Sequence, residues 1–364
     1  MGVRTIPIII LIGMIVYFYT ILLRVDRYFK LNLSKMVLIF ILLLILLPAI
    51  NIFGIWFLTL LHLFEIGIVI DILNFILKRT ELKYWNFLYG SFLLPIVLTV
   101  LLFCYGYYNI NNIKRVEYNL VTDKNIREKG YKVGFISDMH FENALNSKRL
   151  SELVKRLKEE NFDILLLGGD IVDEGSTLRG IQEIFNLLGS VNTKKGIYYV
   201  YGNHDMSRYR KTPNYTIKDL KNSIVENNIK ILDDSSVEVD NDLVIIGRKD
   251  KSLRNRVNSE KLVEQIELNK YLILLDHQPI ELEKNSKLGY DLQISGHTHN
   301  GQIFPFNLII KKLNLAELIY GHRKINNFDV IVSSGASGWG YPLRTAGQSE
   351  YVVINILGKE GEYK

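Results

Sequence analysis

A chain of 364 residues is long enough for two domains, and its long apolar runs crowd into the first hundred or so positions, while the remainder has mixed charge. The formal charge of +6 favours an anionic membrane surface or substrate, but no basic run with interleaved aromatics occurs, so nucleic acid is not expected as a specific partner. The one cysteine, Cys104, lies in an apolar run, which excludes disulfide and thiolate chemistry from the second half.

Residues 1–108 read as a transmembrane domain with about four helices. Thr5 to Leu23 is apolar over about the 20 residues a crossing needs, and Arg24 and Arg27 close it. No small-residue cleavage pattern follows, so it is expected to be an uncleaved span rather than a signal peptide. Met36 to Phe53 and Gly54 to Leu77 form one tract too long for a single crossing, and Pro48, Asn51 and Gly54 supply a turn between two spans. Phe87 to Tyr108 is the fourth, with Trp85, Tyr105, Tyr107 and Tyr108 at interfacial positions. The loop carrying Arg24, Arg27, Lys30 and Lys35 and the loop carrying Lys78, Arg79 and Lys83 should face the cytoplasm, which puts the following domain outside. Lys114 and Arg115 pull the other way, and reading the long tract as one span would place the domain in the cytoplasm. His62, Glu65 and Asp71 are ionisable groups at membrane depth; they are read either as a satisfied pair with an interfacial Asp71 or as a functional group.

Residues 109–364 change pattern. Val133 to Ile136 predicts a strand, Leu150, Leu153, Val154 and Leu157 recur at helical spacing, and Ile164 to Leu167 predicts the next strand, together a βαβ unit. A helix over about Gly180 to Leu188 and a strand at Ile197 to Val200 repeat the arrangement. Amphipathic helices are expected around Ile217 to Val225 and Leu262 to Ile266, among strands at Leu243 to Ile246, Tyr271 to Leu275, Leu292 to Ile294, Val330 to Val332 and Tyr351 to Ile356.

Polar residues fall at the ends of these strands: Asp138 and His140, Asp170, Asn203 and His204, His277, then His297 and His299. In open α/β sheets, sites form at the carboxyl ends of strands, so these motifs are expected on one edge. Carboxylate, imidazole and amide oxygen suit Mn²⁺, Fe²⁺ or Zn²⁺, and seven candidate ligands exceed what one ion takes, so two divalent ions are expected. A water held between two ions about 3.5–4 Å apart ionises near neutral pH and is aimed at one electrophile, which is phosphoester hydrolysis chemistry.

The blocks Asp138-Met139-His140, Gly169-Asp170, Gly202-Asn203-His204-Asp205, His277 and Gly296-His297-Thr298-His299 resemble, in order, those of the calcineurin-like metallophosphoesterase superfamily, specifically its membrane-anchored bacterial branch. The resemblance runs from about Lys132 to Ile356 and implies an α/β/β/α sandwich. It implies Asp138, His140 and His299 as ligands of one metal, Asn203, His277 and His297 as ligands of the other, and Asp170 as the bridge. His204 would stabilise the transition state or protonate the leaving oxygen, with Asp205 orienting its ring, and Arg344, closing a glycine-rich segment, would either meet a substrate phosphate or form a structural ion pair. Gly168, where the family often has threonine, and Asn300, where glycine is common, depart from the pattern without removing a ligand. His322 falls outside every block and reads as a surface or loop histidine.

The expected function is a membrane-anchored phosphoesterase acting on a phosphomonoester or phosphodiester, with its site outside the cytoplasm. The alternatives are a membrane sensor whose domain only binds ligand and a transporter-associated regulatory domain. Ile303 to Ile310 followed by Lys311-Lys312 is apolar with a basic edge, and it reads either as a segment packed on the domain's own core or as an interfacial segment bringing a phospholipid or lipid-linked substrate to the site. Oligomeric state is not legible.

Overall fold

A computed structural model describes residues 2–77 and 84–359, which divide into two compact units, Met1–Tyr105 and Gly106–Lys364. In the first unit, α1 (Gly2–Phe29) is one continuous 28-residue helix. The expected span from Met36 is shorter: α2 (Lys35–Leu46) gives way to a 3₁₀ turn at Leu47–Ile50, where Pro48 has no N–H to continue the ladder. α3 (Ile55–Leu77, 23 residues) follows, then α4 (Trp85–Gly90), and Phe92 in a left-handed conformation separates α4 from α5 (Leu93–Asn111, 19 residues). Among the described residues, α3 and α5 are each long and apolar enough to cross a bilayer, and Lys35–Ile50 is apolar but shorter. Lys78, Arg79 and Lys83 of the expected basic loop lie outside the described residues.

The ionisable groups of α3 are paired. Asp71 accepts from Tyr17 Oη at 2.8 Å and from Arg24 at 2.5 Å, and His62 Nδ1 lies 2.9 Å from Glu65 on the next turn of α3. Such pairing is what keeps charged side chains tolerable in apolar surroundings.

The second unit is built on two six-stranded sheets. In the first sheet, β2 (Tyr131–Ile136), β3 (Ile164–Leu167), β4 (Ile197–Tyr199) and β5 (Ile229–Ile231) run parallel. The last strand, β12 (Glu350–Gly358), returns antiparallel to β2, and β1 (Lys114–Thr122) pairs parallel on its far side. The second sheet has a parallel centre of β7 (Leu243–Gly247), β8 (Tyr271–Leu275), β9 (Leu292–Ser295) and β11 (Phe328–Val332). Its antiparallel edges are β6 (Ser235–Asp240) and β10 (Gly321–Ile325). His322, expected on a surface or loop, lies on that β10 edge and pairs with Asp329 at 2.7 Å.

The parallel strands read as unbroken apolar runs because both their faces are covered. One face of the first sheet packs on α6 (Ser147–Glu159), α7 (Leu178–Gly189) and α8 (Ile217–Val225), through residues such as Leu153, Phe185 and Leu220. Each of these helices starts at a side-chain cap, Asn146, Thr177 and Thr216, which satisfies an amide the helix itself cannot. Between the sheets, Val133, Phe135 and Leu166 meet Ile245, Ile273 and Ile294. The outer face of the second sheet is covered by the short helices α9 (Ser259–Val263) and α10 (Leu282–Asn285), through Val263 and Leu282. The result is an α/β/β/α sandwich whose parallel strands deliver their following loops to one edge.

Candidate metal centre

Each ligand motif is the loop after a parallel strand, and the loops are bonded to one another. Asp138 N donates to Gly169 O at 3.0 Å, Met139 N and His140 N donate to Asp170 O, and Gly296 N donates to His277 O at 3.0 Å. Asp138, His140, Asp170, His297 and His299 all have φ between 43° and 69°. That left-handed region is sparsely populated by residues other than glycine, and holding five such positions in one site requires the surrounding sheets to fix them. Gly296 has no room for a side chain, since a Cβ there would strike the Asp138 carboxylate.

Two groups of ligand atoms result, Asp138 with His140 and His299, and Asp170 with His277 and His297, each with its atoms within 4.8 Å of one another. Asp170 faces both: its Oδ2 is 3.2 Å from His277 Nε2 and 3.9 Å from His140 Nε2. Asp138, His140, Asp170 and His277 are buried. His277 Nδ1 lies 2.8 Å from Gly168 O and donates its N–H to that carbonyl, which leaves Nε2 turned toward Asp170.

The fit to metal can be judged from the polar atoms. Both ring nitrogens of His140, Nε2 of His277, Nδ1 of His297 and of His299, and Oδ1 of Asn203 are buried without a hydrogen-bond partner. A buried polar atom left unpaired costs about 1–3 kcal/mol, and so many in one cavity are accounted for by cations. Charges agree. Burial opposes ionisation of Asp170, but the fields of His277, His140 and His204 outweigh it and hold the carboxyl well below the usual range. Burial pushes His299 down to about 3, and burial with the neighbouring His277 lowers His297, which favours neutral imidazoles there. At His277 burial is outweighed by Asp170 and Asp138, which raise it well above its ordinary value, so an ion at that group must displace its proton. Asp138, His140, His299, Asn203, His277 and His297 with Asp170 fit a pair of divalent ions.

His204 stands outside both groups, its ring 5.3 Å from the His140 ring and flanked by Tyr209 and Trp339. Its Nδ1 faces both oxygens of Glu174, at 2.9 and 3.0 Å. Burial lowers the His204 pKa, but Glu174 and Asp170 more than offset this and raise it.

The expected orienting residue, Asp205, does something else. Its carboxylate is buried and accepts from the backbone N–H of Asp170 and of Gly202, both at 2.7 Å, and of Val172 at 3.1 Å. It fastens the β3 and β4 loops together, and the ring of His204 belongs to Glu174.

Arg344 is also placed differently from expectation. It is fully buried, and its guanidinium donates to the carbonyl oxygens of His299 (2.5 Å), Ser334 (2.7 Å) and Gln348 (3.0 Å). A group so engaged braces the loop of the ligand His299, and its Nε is left buried without a partner.

Sequence reasoning missed Glu174 and Asp173, whose Oδ2 is 3.4 Å from His140 Nδ1. The signal was present: Gly169-Asp170-Ile171-Val172 runs on into these two acids.

Two ligand groups meeting at one carboxylate, on the loop edge of a double-sheet α/β sandwich, define a candidate dinuclear metal site. The family model described as calcineurin-like phosphoesterase matches residues 131–301. A metallophosphoesterase of Aquifex aeolicus, itself uncharacterized, is 30% identical over 274 residues, covering 72% of this chain and 98% of its own. An uncharacterized metallophosphoesterase of Helicobacter pylori is 30% identical over 241 residues, covering 64% of this chain, and the chain spans 61% of that relative's length. A transmembrane protein with metallophosphoesterase domain from Danio rerio is 25% identical over 328 residues, covering 84% of this chain and 72% of its own. The chain belongs to the calcineurin-like metallophosphoesterase superfamily.

Proposed function

We propose that the chain is a membrane-anchored phosphoesterase that hydrolyses a phosphomonoester or phosphodiester with two divalent ions, drawn from Mn²⁺, Fe²⁺ or Zn²⁺. The observation that carries this reading is Asp170 Oδ2 facing both ligand groups, at 3.2 and 3.9 Å from one histidine of each. Asp138, His140 and His299 would hold one ion and Asn203, His277 and His297 the other, with Asp170 available to both. Two such ions supply an activated water and neutralise charge on the phosphoryl oxygens. His204, outside the ligand set and held at Nδ1 by Glu174, which favours its protonated form, delivers a proton to the leaving oxygen. Asp205 and Arg344 support the loops that carry Asp170, Asn203 and His299.

Membrane anchoring is supported by α3 and α5, each of crossing length, and by the Danio rerio relative named as a transmembrane protein. In this reading α1 and the α2 stretch complete a multi-pass anchor, the basic residues Arg24, Arg27, Lys30 and Lys35 face the cytoplasm, and the hydrolase faces outward. The substrate is a phosphoester carried by a phospholipid or lipid-linked group. The transporter reading rests on His62 and Glu65 alone, which bond to each other within one helix, and the intact ligand groups argue against a sensor whose domain only binds.

The test is turnover by the purified full-length chain of generic phosphomonoesters and phosphodiesters with Mn²⁺, Fe²⁺ or Zn²⁺. Activity restored by one of these ions after chelation is expected. A preparation that binds two ions yet turns over neither class would leave the sensor reading standing.

A further inference from the structure

We infer that the segment Phe304–Leu315, built around α11 (Phe306–Lys312), is the surface by which the catalytic unit docks on an anionic lipid bilayer. This rests on the membrane-anchored reading proposed above.

The segment does not pack on the domain's own core. α11 contributes no buried residue, although four of its seven residues, Phe306, Leu308, Ile309 and Ile310, are apolar or aromatic. Leu308 is 53% exposed, Leu313 58% and Leu315 66%, with Phe304 and Ile309 also exposed. Isolated surface leucines need no explanation, but a contiguous group on a short helix marks an interaction surface.

Charge selects the occupant. Lys311 and Lys312 are exposed at the end of α11, and no Asp or Glu occurs between His299 and Ala316. The next carboxylate, Glu317, is already committed to the backbone N–H groups of Glu281 and Leu282, at 2.8 and 2.9 Å. Apolar side chains with lysines beside them and no competing acid match the acyl boundary and anionic headgroups of a bilayer.

The surface is also fixed at the catalytic edge. It begins directly after the ligand His299, through Gly301 and the buried Gln302. Gln302 Nε2 donates to the carbonyls of Tyr341 and Leu343, and its Oε1 accepts from Trp339 N, whose ring lies 5.3 Å from that of His204. A bilayer held by Phe304–Leu315 would therefore present headgroup phosphoesters at the edge where the ligands converge.

The experiment uses the full-length chain with Cys104→Ser and Leu313→Cys, labelled with an environment-sensitive fluorophore and reconstituted in vesicles. Phosphatidylcholine vesicles are compared with vesicles containing about one third phosphatidylglycerol, each with nitroxide-labelled lipid as quencher. Quenching several-fold stronger in the anionic vesicles, and reduced to the neutral level by Lys311→Glu with Lys312→Glu, is the expected result. A label unquenched in chain that floats with the vesicles overturns the surface. So does a label whose emission responds only to unlabelled chain added in excess, which would make the patch a contact between copies. Chain that fails to float overturns the anchor, and the surface with it. Bis-p-nitrophenyl phosphate turnover in the same vesicles reads the metal centre separately: lipid quenching without turnover sustains the surface and removes the hydrolase reading.

Discussion

Glu174 holds the Nδ1 atom of His204 with both carboxylate oxygens, at 2.9 and 3.0 Å, from a loop thirty residues earlier in the chain. The pair fixes which ring nitrogen is turned to the reacting edge and favours the imidazolium, as a proton donor requires. Glu174→Gln keeps the shape and removes the charge. Turnover should fall roughly 10–100-fold for substrates with a poor leaving group, with both ions retained. The sign of the pH effect follows from the raised His204 pKa: without Glu174 the proton is lost at lower pH, so the alkaline limb of the rate profile should move toward acid. An equal loss across a leaving-group series, with an unmoved profile, would reduce Glu174 to a structural contact.

His204→Ala provides the comparison. Because neither ligand group contains its ring, the variant should bind both ions while losing roughly 10²–10⁴-fold in rate on poor leaving groups. Metal analysis alongside kinetics decides this, and missing metal would make His204 a ligand.

At Asp170 the expected outcome is the opposite. Asp170→Asn preserves volume but halves the anionic charge that Asp138 and Asp170 place among the ligand histidines, so bound metal and rate should collapse together. Two ions per chain with near-normal turnover would defeat the shared role of this carboxylate.

The carboxylate of Asp205 accepts three backbone N–H groups in a buried position. Asp205→Ala leaves them unpaired, at about 1–3 kcal/mol each. Thermal melting should drop by several degrees, and metal content should fall because the Asp170 and Asn203 loops lose their common fastening. An unchanged melt with full metal would show that the loops hold without it.

The proposed orientation is open to proteolysis. Protease added to intact cells should remove the catalytic unit, and protection until the membrane is permeabilised would place the site inside.

The central strands were legible because burial on both faces leaves runs such as Ile164–Leu167 with no polar residue. The ligands were legible because each stands directly after such a run. The edge strands β1 and β6 were not: their exposed, mixed residues carry no run, and pairing with β12 and β7 makes them strands. The partners of the ligands were hidden for another reason. Asp205 is adjacent to His204 in the chain, but its side chain turns back to amides at Asp170 and Val172, and Arg344 reaches a carbonyl forty-five residues away. Adjacency in sequence said nothing about either direction. In the first unit, apolar composition continued across Leu47–Ile50 and Ser91-Phe92, where the helices break, so expected spans were longer than the observed helices.

The left-handed backbone at Asp138, His140, Asp170, His297 and His299 limits which side chains can stand there at all. Asp, Asn and His are the residues other than glycine that visit this region most readily, because short polar side chains bond locally to the peptide. Conformation and coordination thus draw on the same small alphabet. Exchanging a ligand for a β-branched or bulky residue would be opposed by the chain before any ion is considered. An imidazole and carboxylate donor set in turn favours borderline ions over those that seek sulfur. On the proposed reading, the torsion angles of five residues would thus narrow which ions the site can take.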